Sequence, residues 1–220
     1  MGPEIAIHLA RYNAVYIEIP KVACTSIKTN LAELLDVELE RGNPHQTKFP
    51  SVDFELTERG PLYPGLFSFA FVRNPWDRLV SCYRDKICLA VDGFTESTIR
   101  PGVADCLARF DSFQPKMPFA AFVEAVAAIP DEEADAHFRS QYTFVSNLSR
   151  ETAVEYVGRY ESIIDDLHHI QRMSGVPLVS IPRLQAAPSV VRYRDYYDAR
   201  SRDRVADRFH IDREMFGYEF

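Results

Sequence analysis

Long hydrophobic runs are missing from this 220-residue chain, which nowhere strings together the roughly 18 apolar residues that a membrane-crossing helix requires. Its N-terminus, MGPEIAIHLARYNAVYI, breaks a short apolar stretch with an arginine, unlike a secretory leader, so a cytoplasmic protein without a membrane span is expected. Cysteine is sparse. Cys24, Cys82, Cys88 and Cys106 form no CxxC pair and have no histidine at zinc-ligand spacing, so free thiols and no metal are expected. Positive charge is short as well: a net charge of −7 and a pI near 5.4 exclude a broad nucleic-acid surface, which needs many lysine and arginine contacts to phosphates. Repeats, linkers and low-complexity segments are also lacking, so residues 1–220 read as one domain. Nothing in the sequence sets an oligomeric state.

Any anion must therefore be held by a local cluster. Residues 73–86 carry four basic side chains against two acidic ones, and residues 183–204 carry six arginines against three aspartates. AVYIEIP at 14–20 is rich in β-branched and aromatic residues and stops at a proline, as a buried strand does. Beyond the short loop Lys21 to Cys24 the period changes, with Ile27, Leu31, Leu34 and Leu35 at helical spacing. A strand running through a short loop into a helix aims the helix's first N–H groups at whatever sits over the strand end, and a phosphate or sulfate suits that place.

FSFAFVR at 67–73 repeats the arrangement. Asn74 reads as an N-cap and Pro75 as the first helical residue, followed by the apolar stripe Leu79, Val80, Tyr83 and Ile87 and the polar face Asp77, Ser81 and Arg84. Residues 92–117, with Gly93, Pro101, Gly102 and Pro115, read as an irregular excursion, and 118–129 as a core helix. AVEYVGRY at 153–160 is a third strand, and Ser162 with Asp165 forms a capping-box start for a helix bearing Ile163, Leu167 and Ile170. Strands alternating with helices predict an α/β fold with a mainly parallel central sheet flanked by helices. Asp131, Glu132, Glu133 and Asp135 read as a solvated run, and Trp76 as core.

The loop after the first strand is not a Walker A phosphate loop: it has no glycine, and its lysine precedes the small residues. What remains is an anion cradle of Lys21, the Thr25 and Ser26 hydroxyls and the helix N–H groups. PKVACTS at 20–26, followed by FAFVRNPWDRLVSCYRDK at 69–86, resembles the two donor-binding motifs of sulfotransferases that use 3′-phosphoadenosine 5′-phosphosulfate (PAPS), above all those acting on carbohydrates and their bacterial relatives. AHFRSQ at 136–141, YVGRYESIIDDL at 156–167 and the block 193–220 resemble later parts of that family in the same order.

The resemblance implies a kinase-like nucleotide-binding fold, PAPS as donor and a hydroxyl acceptor, in first place on a carbohydrate. It assigns Pro20, Lys21, Val22, Ala23, Cys24, Thr25 and Ser26 to the 5′-phosphosulfate, and Arg73 and Ser81 to the 3′-phosphate. QAAPSVVRYRDYY at 185–197 stands where relatives place a further loop over the nucleotide, which adds Ser189 and Arg192. Lys21 is the expected catalytic cation, and Cys24 reads as a packing residue rather than a nucleophile. His45, in the polar loop GNPHQTKF, stands where related enzymes carry an acceptor-activating histidine, so a neutral imidazole titrating near 6.5 is expected there as the base. His137, in AHFRSQ, is the alternative base or an orienting residue. Two rival readings are an atypical phosphotransferase and a nucleotide-binding module without catalysis.

Overall fold

The computed structural model describes residues 5–177 and 192–220. In chain order these form β1 (Ala6–Leu9), β2 (Ala14–Ile17), α1 (Cys24–Leu34), β3 (Phe67–Val72), α2 (Pro75–Tyr83), α3 (Leu89–Val91), α4 (Asp105–Ala108), α5 (Phe119–Ala127), α6 (Tyr142–Val145), β4 (Tyr156–Arg159), α7 (Ile163–Ser174), α8 (Ala199–Arg208) and α9 (His210–Phe216). No helix among them is long and apolar enough to cross a membrane. The chain divides into two compact units, one from 5–73 with 141–177 and the other from 74–140 with 192–220.

The first unit holds a sheet in the order β1-β2-β3-β4. β1 runs antiparallel to β2, with Ala6 opposite Ile17, through a tight turn in which Asn13 takes a left-handed conformation. The other two pairings are parallel, Ala14 opposite Phe67 and Phe69 opposite Tyr156, so the expected mainly parallel sheet is present. Every residue of β2 is buried, as are Ser68 through Val72 of β3, which is the mark of a sheet covered on both faces. α7 packs against β3 and β4. Gly158 permits that approach, because a Cβ there would lie 2.7 Å from the Phe71 ring and 3.1 Å from the Asp166 Cβ.

The capping box expected from Ser162 and Asp165 does not form. Ser162 Oγ donates to Asp166 Oδ2 at 2.9 Å, and the same carboxylate takes the Tyr156 hydroxyl and the Arg159 N–H. Asp166 sits one residue further along α7, where one carboxylate can serve both the strand end and the helix start.

In the second unit, Asn74 Oδ1 accepts the Trp76 N–H at 3.1 Å and Pro75 occupies the first helical turn, as expected. The helix then widens into a π turn over Arg84–Cys88 before α3. Around it lies an aromatic core that includes Trp76, Phe113, Phe119, Phe122 and Phe138. Each fully buried phenylalanine of that core contributes about 1.5–3 kcal/mol. Arg78 is sealed inside, donating to the carbonyls of Ala136 and Arg139 at 2.9 and 2.8 Å. The acidic run is only half solvated: Glu132 and Glu133 are exposed, but Asp131 pairs with Arg208 at 2.6 Å and Asp135 with His137 at 2.6 Å. The spacing of charges along a chain does not reveal partners that lie 77 residues away, as Arg208 does.

Candidate active site

The site in the first unit begins where β2 ends. Residues 18–23 turn the chain into α1, and two of them, Lys21 (φ 69) and Ala23 (φ 56), take the left-handed conformation without being glycine. Each costs on the order of 1 kcal/mol or more, strain of the kind that gathers at functional positions. Left-handed residues next to right-handed ones turn successive N–H groups into a concavity that favours anions. Ala23, at the N-cap of α1, has no side-chain oxygen to satisfy the helix's first donors. Val22 is buried and anchors the loop, whereas Pro20, Lys21, Thr25 and Ser26 are half-buried at its rim. Cys24 opens the helix at 7% exposure.

A polar chain runs beneath the loop. Glu18, one residue past β2 and 4% exposed, receives the Lys28 ammonium from α1 at 3.0 Å. Its other oxygen faces His45 Nδ1 at 3.6 Å, and His45 Nε2 lies 2.8 Å from Thr25 Oγ1. Burial pushes the Glu18 carboxyl up, but the hydrogen bond with His45 and the charge and hydrogen bond of Lys28 outweigh it, so the group is held below its usual value. His45 is 44% exposed, on a loop folded by its own N–H donating to Asn43 Oδ1 and by Thr47 Oγ1 donating to the Asn43 carbonyl.

The expectation of a neutral imidazole near 6.5 meets a different environment. Hydrogen bonding to Cys24 first, then to Glu18, raises His45 to about 9 despite its partial burial, so at neutral pH the ring carries a proton. An imidazolium donates from both nitrogens, toward Glu18 and to Thr25 Oγ1, which leaves the Thr25 hydroxyl proton available to an anion.

Arg73 follows β3 directly. Gln141, fully buried, binds both its main-chain groups, accepting the N–H at 2.9 Å and donating to the carbonyl at 2.8 Å. The guanidinium donates to the Lys21 carbonyl at 3.1 Å and lies over the Tyr160 ring at 4.2 Å. The ends of the neighbouring parallel strands β2 and β3 thus bring Lys21 and Arg73 together, at the carboxyl edge where open α/β sheets bind ligands.

Ser81, His137 and Arg192 belong to the second unit. Ser81 is half-buried on α2. His137 Nδ1 lies 2.6 Å from Asp135 Oδ1, which also accepts the His137 N–H. Arg192 is exposed, its N–H donating to Asp195 Oδ2 at 3.2 Å. Ser189 lies outside the described residues. The residues that sequence reasoning passed over are Glu18, Lys28, Gln141 and Tyr160. For the first two a signal existed: a glutamate inside an apolar strand and a lysine beside Ile27 on the buried stripe of α1.

This chain belongs to the sulfotransferase family, whose sequence pattern it matches over residues 7–219. Among characterised proteins it is similar to carbohydrate sulfotransferase 14 of Mus musculus, 29% identical over 188 residues that cover 80% of this chain and 48% of that one. Carbohydrate sulfotransferase 14 of Danio rerio is 26% identical over 227 residues, 93% of this chain and 59% of the relative. Carbohydrate sulfotransferase 11 of Rattus norvegicus is 24% identical over 185 residues, 75% and 51% respectively. The chain thus spans about half the length of these relatives. No solved structure gives a significant match.

Proposed function

We propose that this protein transfers a sulfuryl group from PAPS to a hydroxyl of a carbohydrate or glycoconjugate, on a nucleotide-binding sheet of the kinase-like kind. Family membership supports the reaction class, and the names of the relatives support the carbohydrate acceptor. The observation that carries the reading is the placement of Lys21 and Arg73 at adjacent strand ends around an uncapped helix start. The donor set fits a multiply anionic nucleotide. Two cations, two hydroxyls and the first N–H groups of α1 would face it, and Glu18, a carboxylate beneath them, is paired with the Lys28 ammonium at 3.0 Å. Lys21, Thr25 and Ser26 would hold the phosphosulfate end, and Arg73, whose planar fork suits a bidentate phosphate contact, the 3′-phosphate.

Bound there, PAPS supplies an activated sulfuryl group and leaves as adenosine 3′,5′-bisphosphate. Lys21 places an ammonium where negative charge grows on the departing oxygen, so it stabilises the transition state more than the ground state. His45 in its neutral form takes the acceptor's proton. Thr25 and Glu18 set its ring orientation, because each faces one of the two nitrogens. Protonated, it adds positive charge to the cradle.

The test is transfer of radioactive sulfate from labelled PAPS to a panel of glycans and small hydroxyl acceptors, with labelled ATP in a parallel arm. Label moving from PAPS alone supports the reading. Label moving only from ATP replaces it with phosphotransfer, and stabilisation by PAPS without any transfer leaves a nucleotide-binding module.

A further inference from the structure

We propose that Glu18, Cys24 and His45 form a three-ligand site for a soft divalent cation of the zinc class, and that a cation held there shuts the sulfuryl-transfer site. Binding does not depend on the proposed function; the shutting does, because it rests on His45 as proton acceptor.

Carboxylate, thiolate and imidazole are the ligand types zinc takes. One ligand atom from each of the three residues lies within 4.8 Å of the others. Glu18 Oε1 and His45 Nδ1 are 3.6 Å apart. That exceeds the usual N–H···O length of about 2.7–3.2 Å. It is close to the roughly 3.3–3.4 Å that separates two corners of a tetrahedron with bonds of about 2.0–2.1 Å. The two atoms are thus spaced so that one cation could take the place of the proton between them.

The surroundings already hold the ligands as a metal site would. His45 Nε2 is engaged by Thr25 Oγ1 at 2.8 Å, which holds the ring and leaves Nδ1 as the ligand atom, the part that an acceptor on the second nitrogen plays for metal-bound histidines. Lys28 occupies Glu18 Oε2 and so leaves Oε1 facing His45. The Lys28 charge opposes a second cation, so the site is expected to bind more weakly than a structural four-cysteine site. Glu18 and Cys24 are buried and His45 is 44% exposed, so a cation can reach them from the His45 side, where a fourth ligand would be water. Coordination through Nδ1 leaves the imidazole without the electron pair that accepts a proton. The occupied protein is therefore expected to bind PAPS but not turn over.

Cys106, Asp135 and His137 also come within 4.8 Å of one another, but their geometry is closed. Asp135 Oδ1 takes both the His137 N–H and Nδ1, the latter at 2.6 Å, and Arg109 lies 4.0 Å from the other oxygen. That trio serves as the internal control.

The experiment titrates zinc into the reduced, metal-free full chain against a chromophoric chelator, with cobalt in a parallel sample to report a thiolate-to-cobalt absorption. One zinc per chain is expected, weakened at least tenfold in Cys24→Ser and in His45→Ala and unchanged in Cys106→Ser and His137→Ala. Cys24→Ala serves as a second variant if the serine disturbs the loop, and thermal unfolding checks that each variant folds. Zinc bound with wild-type affinity by both the Cys24 and His45 variants overturns the site, as does a cobalt form without thiolate absorption or a loss confined to Cys106→Ser. Turnover measured at saturating zinc reads the second half of the proposal. Loss of transfer supports it, whereas full transfer with zinc bound overturns the shutting and removes His45 as the base. A chain that transfers no sulfuryl group at all overturns the proposed function, and the zinc titration still decides the binding site.

Discussion

Lys28 and Arg78 are both cations sealed from solvent, one in each unit, and the fold treats them in opposite ways. Lys28 meets a carboxylate, and that carboxylate faces a half-exposed histidine whose other nitrogen meets the rim of the strained loop at Thr25. Arg78 meets two main-chain carbonyls. Burial lowers its pKa to about 10, partly offset by the charge of Asp212, so it stays protonated at neutral pH. The first set of contacts ends at the surface, where a ligand can rearrange it. The second includes two main-chain carbonyls, through which it holds the turns around 136–139. A buried charge is therefore informative about function through where its partners lead, not through its burial.

Variants on the two sides of that contrast should fail differently. The largest effect is expected from Lys21→Ala, with turnover falling roughly 10²–10³-fold as when one preorganised electrostatic partner is removed. Its unfolding midpoint should stay at the wild-type value, because Lys21 sits on the loop's rim. Wild-type turnover in this variant would take the lysine out of the reaction. His45→Ala comes next: kcat lower by roughly 10²-fold or more with PAPS affinity and stability retained, as for loss of a general base from an intact site. His137→Ala is its control and should turn over normally; the opposite pattern in the two variants exchanges their roles.

Stability separates the two buried cations. Arg78→Ala leaves the Ala136 and Arg139 carbonyls without that donor, at about 1–3 kcal/mol for each unsatisfied group. Lys28→Ala strands Glu18 in the interior and is expected to cost about 3–5 kcal/mol, while Lys28→Met combined with Glu18→Gln should recover most of it. Denaturant unfolding measures all three. A Lys28→Ala protein as stable as wild type would mean that Glu18 is either uncharged in the fold or held by His45 without the lysine.

Much of this contrast was legible in the sequence only on its local side. The buried strands at 14–17 and 67–72, the Asn74-Pro75 helix start and the PKVACTS loop all follow from residue types that act on their immediate neighbours. A strand around His8 is legible near the N-terminus, but its bounds are not, because four residues with one histidine carry too little pattern and pairing with β2 decides them. The Gln141 clamp on Arg73 joins positions 68 apart, and the Asp131 pair with Arg208 joins positions 77 apart. The proton affinity of His45 was missed for the same reason. A loop histidine reads as ordinary until the fold sets Glu18 and Cys24 against it.

The smallest expected effect tests whether those neighbours set the pH at which the site works. In the wild type His45 holds its proton up to about 9, with the Cys24 hydrogen bond as the first cause and Glu18 as the second. If neutral His45 is the base, kcat should climb with pH toward 9 instead of levelling above 6.5. Replacing Glu18 by Gln and Lys28 by Met together removes the carboxylate without leaving a buried charge alone. This should move the rising limb to lower pH and increase turnover at pH 7; Cys24→Ala should move it further. Stability carries the same sign. A histidine whose folded pKa exceeds its unfolded value near 6.5 contributes stability that is full below about 6.5 and lost as pH rises through the folded value. Unfolding followed between pH 6 and 10 should therefore show a decline in the wild type that is smaller in the Gln and Met double variant. A kcat that falls on approaching pH 9 would mean that His45 works as a cation, and an unmoved limb in the double variant would mean that Glu18 does not govern it.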